Sequence, residues 1–167
     1  MDTHILVWIP ETIKGKPVTI DNFGELLIKL PYSPKAYQYI DNGIVRQEGS
    51  NPIKSGWVLM TTDVISGSRN KSFADQELWV ESLNKNGQTG YRVLKIAEAI
   101  VCIVAEYLRS KESTKRLFSN DPFTYTRCQE NVEGYQVGVG GFARCGLLVR
   151  TCSFDEVSPG VAGLRDL

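Results

Sequence analysis

Hydrophobic positions along this chain follow two different periods, and the change between them outlines the fold. The longest helical pattern runs from Tyr91 to Ser110, where Arg92, Lys95, Glu98, Glu106 and Arg109 recur at three- and four-residue steps. Those polar residues make one narrow stripe with Cys102 in its middle, so a helix there is covered on nearly every side at its centre. A second helix is predicted from Ser72, because Ser72 and Asp75 have the spacing of a capping box and Gln76, Trp79, Val80 and Leu83 mark an inner face. Asn86-Gly87 ends it, and the short connection through Gly90 predicts that the two helices are neighbours crossing at an angle.

Strand signals flank this pair. Ile5 to Ile9 and Val18 to Ile20 read as short apolar strands separated by a turn around Gly15 and Pro17. Asp21 or Asn22 caps a short helix through Phe23, Leu26, Leu27 and Leu30 that Pro31 ends. Gly56 to Thr62 reads as a central strand, apolar on both faces. Lys111 to Arg116 reads as a charged helix end. Beyond a turn at Ser119-Asn120-Asp121-Pro122, Phe123 to Gln129, Tyr135 to Val139 and Phe142 to Cys152 read as closely spaced antiparallel strands, with turns at Asn131 to Gly134 and at Gly140-Gly141. Val161 to Leu164 can add an edge strand. Tyr32 to Ser55 supports two readings: a hairpin turning at Asp41-Asn42-Gly43 with Ile44-Val45 returning, or a short helix over Ala36 to Ile40. The sum is an α+β fold, one globular domain over residues 1–167, with an antiparallel sheet packed against two central helices.

Composition narrows the function classes. With 167 residues, 42% hydrophobic and 23% charged, the chain suits one ordinary soluble domain. Its 19 Lys and Arg balance 19 Asp and Glu, so no global field favours nucleic acid or an anionic membrane. Asp2 stands where a signal peptide carries positive charge, and the uncharged run between Glu98 and Glu106 is far too short to span a bilayer. Cys102, Cys128, Cys145 and Cys152 lack paired metal spacing and read as free thiols of a reducing cytoplasm; translocation without a cleavable signal stays open. His4 is the only histidine, which leaves a cysteine nucleophile without an evident base. No metal or cofactor is expected.

One stretch carries candidate binding chemistry. Ser68, Arg69, Asn70, Lys71 and Ser72 join a predicted strand to a helix start, where unpaired backbone N–H groups and two cations suit a phosphate, sulfate or carboxylate. The same residues can equally satisfy their own turn and cap. Arg127, on a strand dense in polar residues, either pairs with Glu98 or Glu106 or faces a groove and grips a ligand or partner. Gly138-Val139-Gly140-Gly141 continues into strand, so it reads as a bulge, hairpin or close backbone approach, not a dinucleotide loop.

Three segments, Trp57-Val58-Leu59-Met60-Thr61-Thr62-Asp63-Val64, Ser68 to Ser72, and Asp121-Pro122-Phe123-Thr124-Tyr125-Thr126-Arg127-Cys128-Gln129-Glu130, together resemble a family of uncharacterised bacterial domains seen in environmental, host-associated chlamydiae and similar organisms. The likeness covers most of the chain. That family has no known activity, so the resemblance transfers no catalytic residue; it implies a host-associated setting and, with it, a partner-binding role, including one outside the producing cell. Two functions fit these features. The first is a non-enzymatic interaction or regulatory module that binds a protein partner or itself. The second is a small anionic-ligand protein or transferase-like enzyme built on Ser68 to Ser72 and Arg127.

Overall fold

A computed structural model describes residues 3–27, 36–87, 89–110, 116–153, 156 and 158–167. The class is α+β, but the strands divide between two main sheets. Strands β1 (His4–Ile9), β5 (Gly56–Thr61) and β9 (Leu164–Asp166) form a three-stranded antiparallel sheet with β5 in the middle. The other sheet has four strands in the order β4 (Tyr37–Ile40), β8 (Gly146–Cys152), β7 (Tyr135–Ala143), β6 (Tyr125–Val132). Its β6–β7–β8 part is an antiparallel meander, whereas β4 joins β8 in parallel. The short strands β2 (Thr12–Ile13) and β3 (Lys16–Pro17) form a hairpin of their own.

One helix, not two, occupies the centre. The helix α4 (Ile96–Arg109) packs against β1 of the first sheet and against β6 and β7 of the second. It buries residues all around its circumference, Ile96, Ala99, Ile100, Cys102, Ile103 and Val104 among them. Each fully buried aliphatic side chain of this kind contributes about 1.5–3 kcal/mol relative to exposure, so α4 contributes more to the core than any other single element. Burial drives the Cys102 thiol pKa far upward, which leaves it an inert core residue.

Several predicted boundaries move for identifiable reasons. The central helix begins at Ile96 because Arg92 exchanges backbone hydrogen bonds with Leu164, holding Tyr91 to Lys95 extended. Val18 to Ile20 is not a strand. Thr19 caps α1 (Ile20–Leu27) instead, its hydroxyl accepting from Asn22 N–H while Asn22 Oδ1 accepts from Thr19 N–H. Asp41-Asn42-Gly43 starts α2 (Asn42–Glu48) and makes no hairpin, since Asp41 Oδ1 accepts from Gly43 N–H at 2.8 Å. Ala36 to Ile40 is accordingly not helical, and Ile44 and Val45 are not a strand. The helix α3 (Phe73–Gly87) begins and ends as expected, but its buried Val80 joins Val93 and Val161 in a small separate cluster away from the main core. The Gly140-Gly141 turn is also displaced: β7 runs through it to Ala143, and the chain turns at Arg144-Cys145. Residues 161–163 precede the edge strand, which occupies Leu164–Asp166. Leu30, Pro31 and most of the charged stretch 111–116 lie outside the described residues.

Candidate functional site

The loop from Ser66 to Ser72 and Arg127 come together, as an anion site requires, but Ser68, Arg69, Ser72 and both Arg127 Nη groups bond to the protein itself, while the buried Arg127 Nε makes no hydrogen bond among the described residues. Ser68 is fully buried, and its hydroxyl accepts from Val161 N–H at 3.1 Å. Arg69 Nη1 donates to the Ser158 carbonyl, and the Lys71 ammonium stands 5.6 Å over the Trp79 ring. Asn70 has φ 60, a left-handed turn position that asparagine tolerates better than most residues. Ser72 caps α3, its hydroxyl accepting from Asp75 N–H at 3.1 Å and donating to Asp75 Oδ2 at 2.7 Å.

Arg127 is 4% exposed and has neither of the carboxylate partners expected for it. Glu98 is taken by Arg92 and Glu106 by Arg109. Arg127 Nη1 donates at 3.0 Å to the Lys71 carbonyl and at 3.0 Å to Gln76 Oε1, while Nη2 donates to the Glu156 carbonyl. Gln76, fully buried on α3, completes the clasp: its Nε2 donates to the carbonyls of Ser68 at 2.8 Å and Pro159 at 2.9 Å. One guanidinium and one amide thus tie together a loop, a helix start and the backbone at Glu156 and Pro159. The Gly-rich stretch of β7 serves the same face. A Cβ on Gly138 would lie 2.7 Å from Cys152 Sγ, and one on Gly140 would lie 2.2 Å from the Thr124 carbonyl oxygen.

His4 does not approach a cysteine. Its Nε2 makes a short hydrogen bond with the Tyr91 hydroxyl, and the two rings stack at 5.7 Å. Cys128 and Cys152 are buried and free, with thiol pKa values raised chiefly by burial; Cys145 is exposed and free.

Two features that the sequence pattern did not single out are larger. The first is a cleft of about 820 Å³ at the N-terminus of α4, between the ends of the two sheets and the α2–β5 connection. Ile9, Ile20, Ile53, Val58 and Ala97 form its apolar floor, and Glu48, Lys54, Lys95 and Glu130 stand among its polar walls. On one wall Arg92 donates to Glu98 through Nη1 and Nη2 and to Asp166 through Nε and Nη2, all at 2.7–3.0 Å. This pairing holds the Asp166 carboxyl below its usual pKa range. Lys95 stands at the N-cap position, where a lysine side chain offers no acceptor. Glu98 accepts from Lys95 N–H at 2.8 Å instead, and Glu130 of β6 accepts from Ile96 N–H at 3.0 Å.

Glu130 carries the cost of this arrangement. Burial raises its pKa, with smaller contributions from Glu48 and Glu98, while its own and the Ile96 backbone N–H groups pull the other way. A carboxyl whose folded pKa lies above its unfolded value favours folding when protonated. Its contribution is complete below the unfolded value of about 4.3 and is lost as pH rises through the folded pKa. Thermal midpoints measured between pH 4 and 7 should therefore decline less steeply with rising pH in Glu130→Gln than in the parent; parallel profiles would refute this.

The second feature is the outer face of the three-stranded sheet. Ile5, Val7 and Ile9 of β1 turn inward and are buried, so Leu6 and Trp8 turn outward, 53% and 48% exposed. Across the ladder Leu6 faces Leu59 and Trp8 faces Trp57, which is 50% exposed. The two indole rings meet at 5.4 Å. β1 is also an edge strand.

Comparison of the chain with protein-family models, curated proteins and solved structures found no match. Among the described residues no helix is long and apolar enough to cross a membrane.

Proposed function

We propose that this chain is a non-enzymatic protein-interaction module that associates with a second copy of itself through the outer face of the β1–β5–β9 sheet. The observation that carries the reading is the exposed Trp8–Trp57 pair beside Leu6 and Leu59. Leu6, Trp8 and Trp57, each about half exposed, with the partly covered Leu59 present on the order of 350 Å² of contiguous apolar surface, the scale at which a patch on a monomer is often functional. Such surface costs solubility unless something covers it.

A second copy suits the face. Leu6, Trp8, Trp57 and Leu59 bring no charge, while Arg165, opposite Leu59 on β9, adds a cation at the margin of the patch; two sheets pack face to face about 10 Å apart by interdigitating apolar side chains of this kind. A two-fold axis brings the same patch from both chains, so each apolar row meets an apolar row. The paired patches bury on the order of 700 Å², and with a surrounding rim they reach the roughly 1,200 Å² at the low end of specific interfaces. The resemblance to domains of host-associated bacteria favours a partner-binding role in the same direction. The alternative reading, an anion held by Ser68 to Ser72 and Arg127, draws less support because the Ser68 hydroxyl, Arg69 and both Arg127 Nη groups are engaged within the protein, which leaves the buried Arg127 Nε as its remaining argument.

Sedimentation velocity over a concentration series tests this directly. The parent should show a dimer whose population grows with concentration, and tryptophan emission should shift to the blue in parallel as Trp8 and Trp57 leave water. Trp8→Glu, at an already solvated position, should sediment as a monomer, with a thermal midpoint equal to the parent's at concentrations where the parent is itself monomeric. A parent that stays monomeric at hundreds of micromolar, or a Trp8→Glu variant that still dimerises, rules out this interface.

A further inference from the structure

The cleft at the start of α4 is distinct from the apolar sheet face, and its charges divide into closed and open sets. Arg92, Glu98 and Asp166 are closed: the guanidinium meets both carboxylates, so none has a full charge left to offer. Four charged groups remain open. Glu130 is bonded by backbone N–H, and Glu48 accepts only the Asn51 amide at 2.7 Å, so neither has a cationic partner among the described residues. Lys54 and Lys95 are exposed at the cleft and likewise form no ion pair among the described residues. Below them lies the floor of Ile9, Ile20, Ile53 and Val58.

We propose that this cleft binds a zwitterionic ligand of amino-acid or short-peptide type, its ammonium group toward Glu130 and Glu48, its carboxylate toward Lys95 and Lys54, and its side chain on the isoleucine floor. The argument is one of complementary charge and volume. A ligand carrying only an anion would leave Glu130 and Glu48 unopposed, and one carrying only a cation would leave Lys54 unopposed and Lys95 with only the already paired Asp166 nearby. A zwitterion answers both, and the apolar floor gains from a hydrocarbon side chain. A volume of about 820 Å³ falls within the 300–1,000 Å³ range of small-molecule sites and accepts a dipeptide as readily as a single amino acid. Glu130 agrees with this placement: burial raises its pKa, so a neighbouring ammonium stabilises a carboxylate that now lacks a counter-charge.

Calorimetric titration of the full chain tests the proposal with two sets of probes, the common L-amino acids one at a time and L-leucyl-L-leucine. For any compound that binds, the N-acetyl and the C-terminal amide forms are then compared. Binding of free amino acids alone identifies a free amino acid as the ligand; binding of the dipeptide alone identifies a peptide. In either case each blocked form should bind at least tenfold more weakly. Glu130→Gln should weaken the parent compound while narrowing the gap to its N-acetyl form, and Lys95→Ala should do the same for the amide form. These gaps separate contact with the ligand from a general loss of structure. No binding by either set at millimolar concentration, or blocked forms that bind as well as the zwitterion, overturns it.

Discussion

Gly140→Ala should unfold this protein at temperatures the parent withstands easily. The new Cβ would sit 2.2 Å from the Thr124 carbonyl oxygen and 2.8 Å from Tyr125 Cα, and both obstacles are backbone of the neighbouring strand. Flexible side chains can swing away from an added methyl, but a ladder strand moves only by breaking its hydrogen bonds. Overpacking usually costs 1–3 kcal/mol, and a clash with main chain belongs at or beyond the upper end. About 3 kcal/mol or more is expected, or roughly 6–12 °C in the thermal midpoint for a chain of this size. Gly56→Ala supplies the contrast, since nothing lies within 4 Å of its Cβ position. Removing unfolded-state freedom there should leave stability unchanged or raise it by up to about 1 kcal/mol. Equal effects from the two substitutions would mean that β6 and β7 do not approach as described.

The buried clasp should be nearly as sensitive, and in a non-additive way. Gln76→Leu keeps the volume but strips donors from the Ser68 and Pro159 carbonyls and an acceptor from Arg127. Buried polar groups left without partners cost about 1–3 kcal/mol each, so a loss of roughly 3–5 kcal/mol is expected from urea unfolding. Arg127→Leu should cost a similar amount through the Lys71, Gln76 and Glu156 acceptors. Because the two side chains bond each other, the double substitution should cost less than the sum by about 1 kcal/mol or more. Strict additivity would show that the guanidinium and the amide act independently. Gln76→Glu discriminates further. It places a carboxylate beside Arg127 but turns an acceptor toward two carbonyl oxygens, and a net gain in stability would contradict the donor role assigned to Nε2.

These residues show where a sequence is legible. The capping box at Ser72 and the inward position of Gln76 follow from local spacing, and both were readable. That Gln76 meets Pro159 was not, since the contact spans 83 positions and periodicity reports only which face is buried. The start of α4 departs from the helical periodicity for a related reason. Val93 and Leu94 are buried, as a helix pattern requires, yet they lie in an extended segment fixed by pairing with Leu164. Asp41-Asn42-Gly43 suits a hairpin and a helix cap equally well, and the parallel pairing of β4 with β8 decided between them. As for the glycines of β7, close backbone approach was among the expected readings, while the continued strand was hidden by the turn chemistry of Gly140-Gly141. Neither the cleft nor the exposed tryptophans have a sequence signature. One depends on where three distant segments end, and the other on which side of a strand the core chooses.

The order of strands around β5 also bears on how the chain is made. Its two neighbours in the sheet are residues 4–9 on one side and 164–166 on the other, so one edge can close early and the other only after nearly all the intervening sequence exists. The β6–β7–β8 meander needs no such wait. On a ribosome, the β1–β5 pair would emerge with its two tryptophans and its inward isoleucine and valine residues uncovered until α4 follows. That interval is when the chain has most need of a chaperone, and conditions that slow translation beyond residue 61 should increase its aggregation more than conditions that slow it earlier.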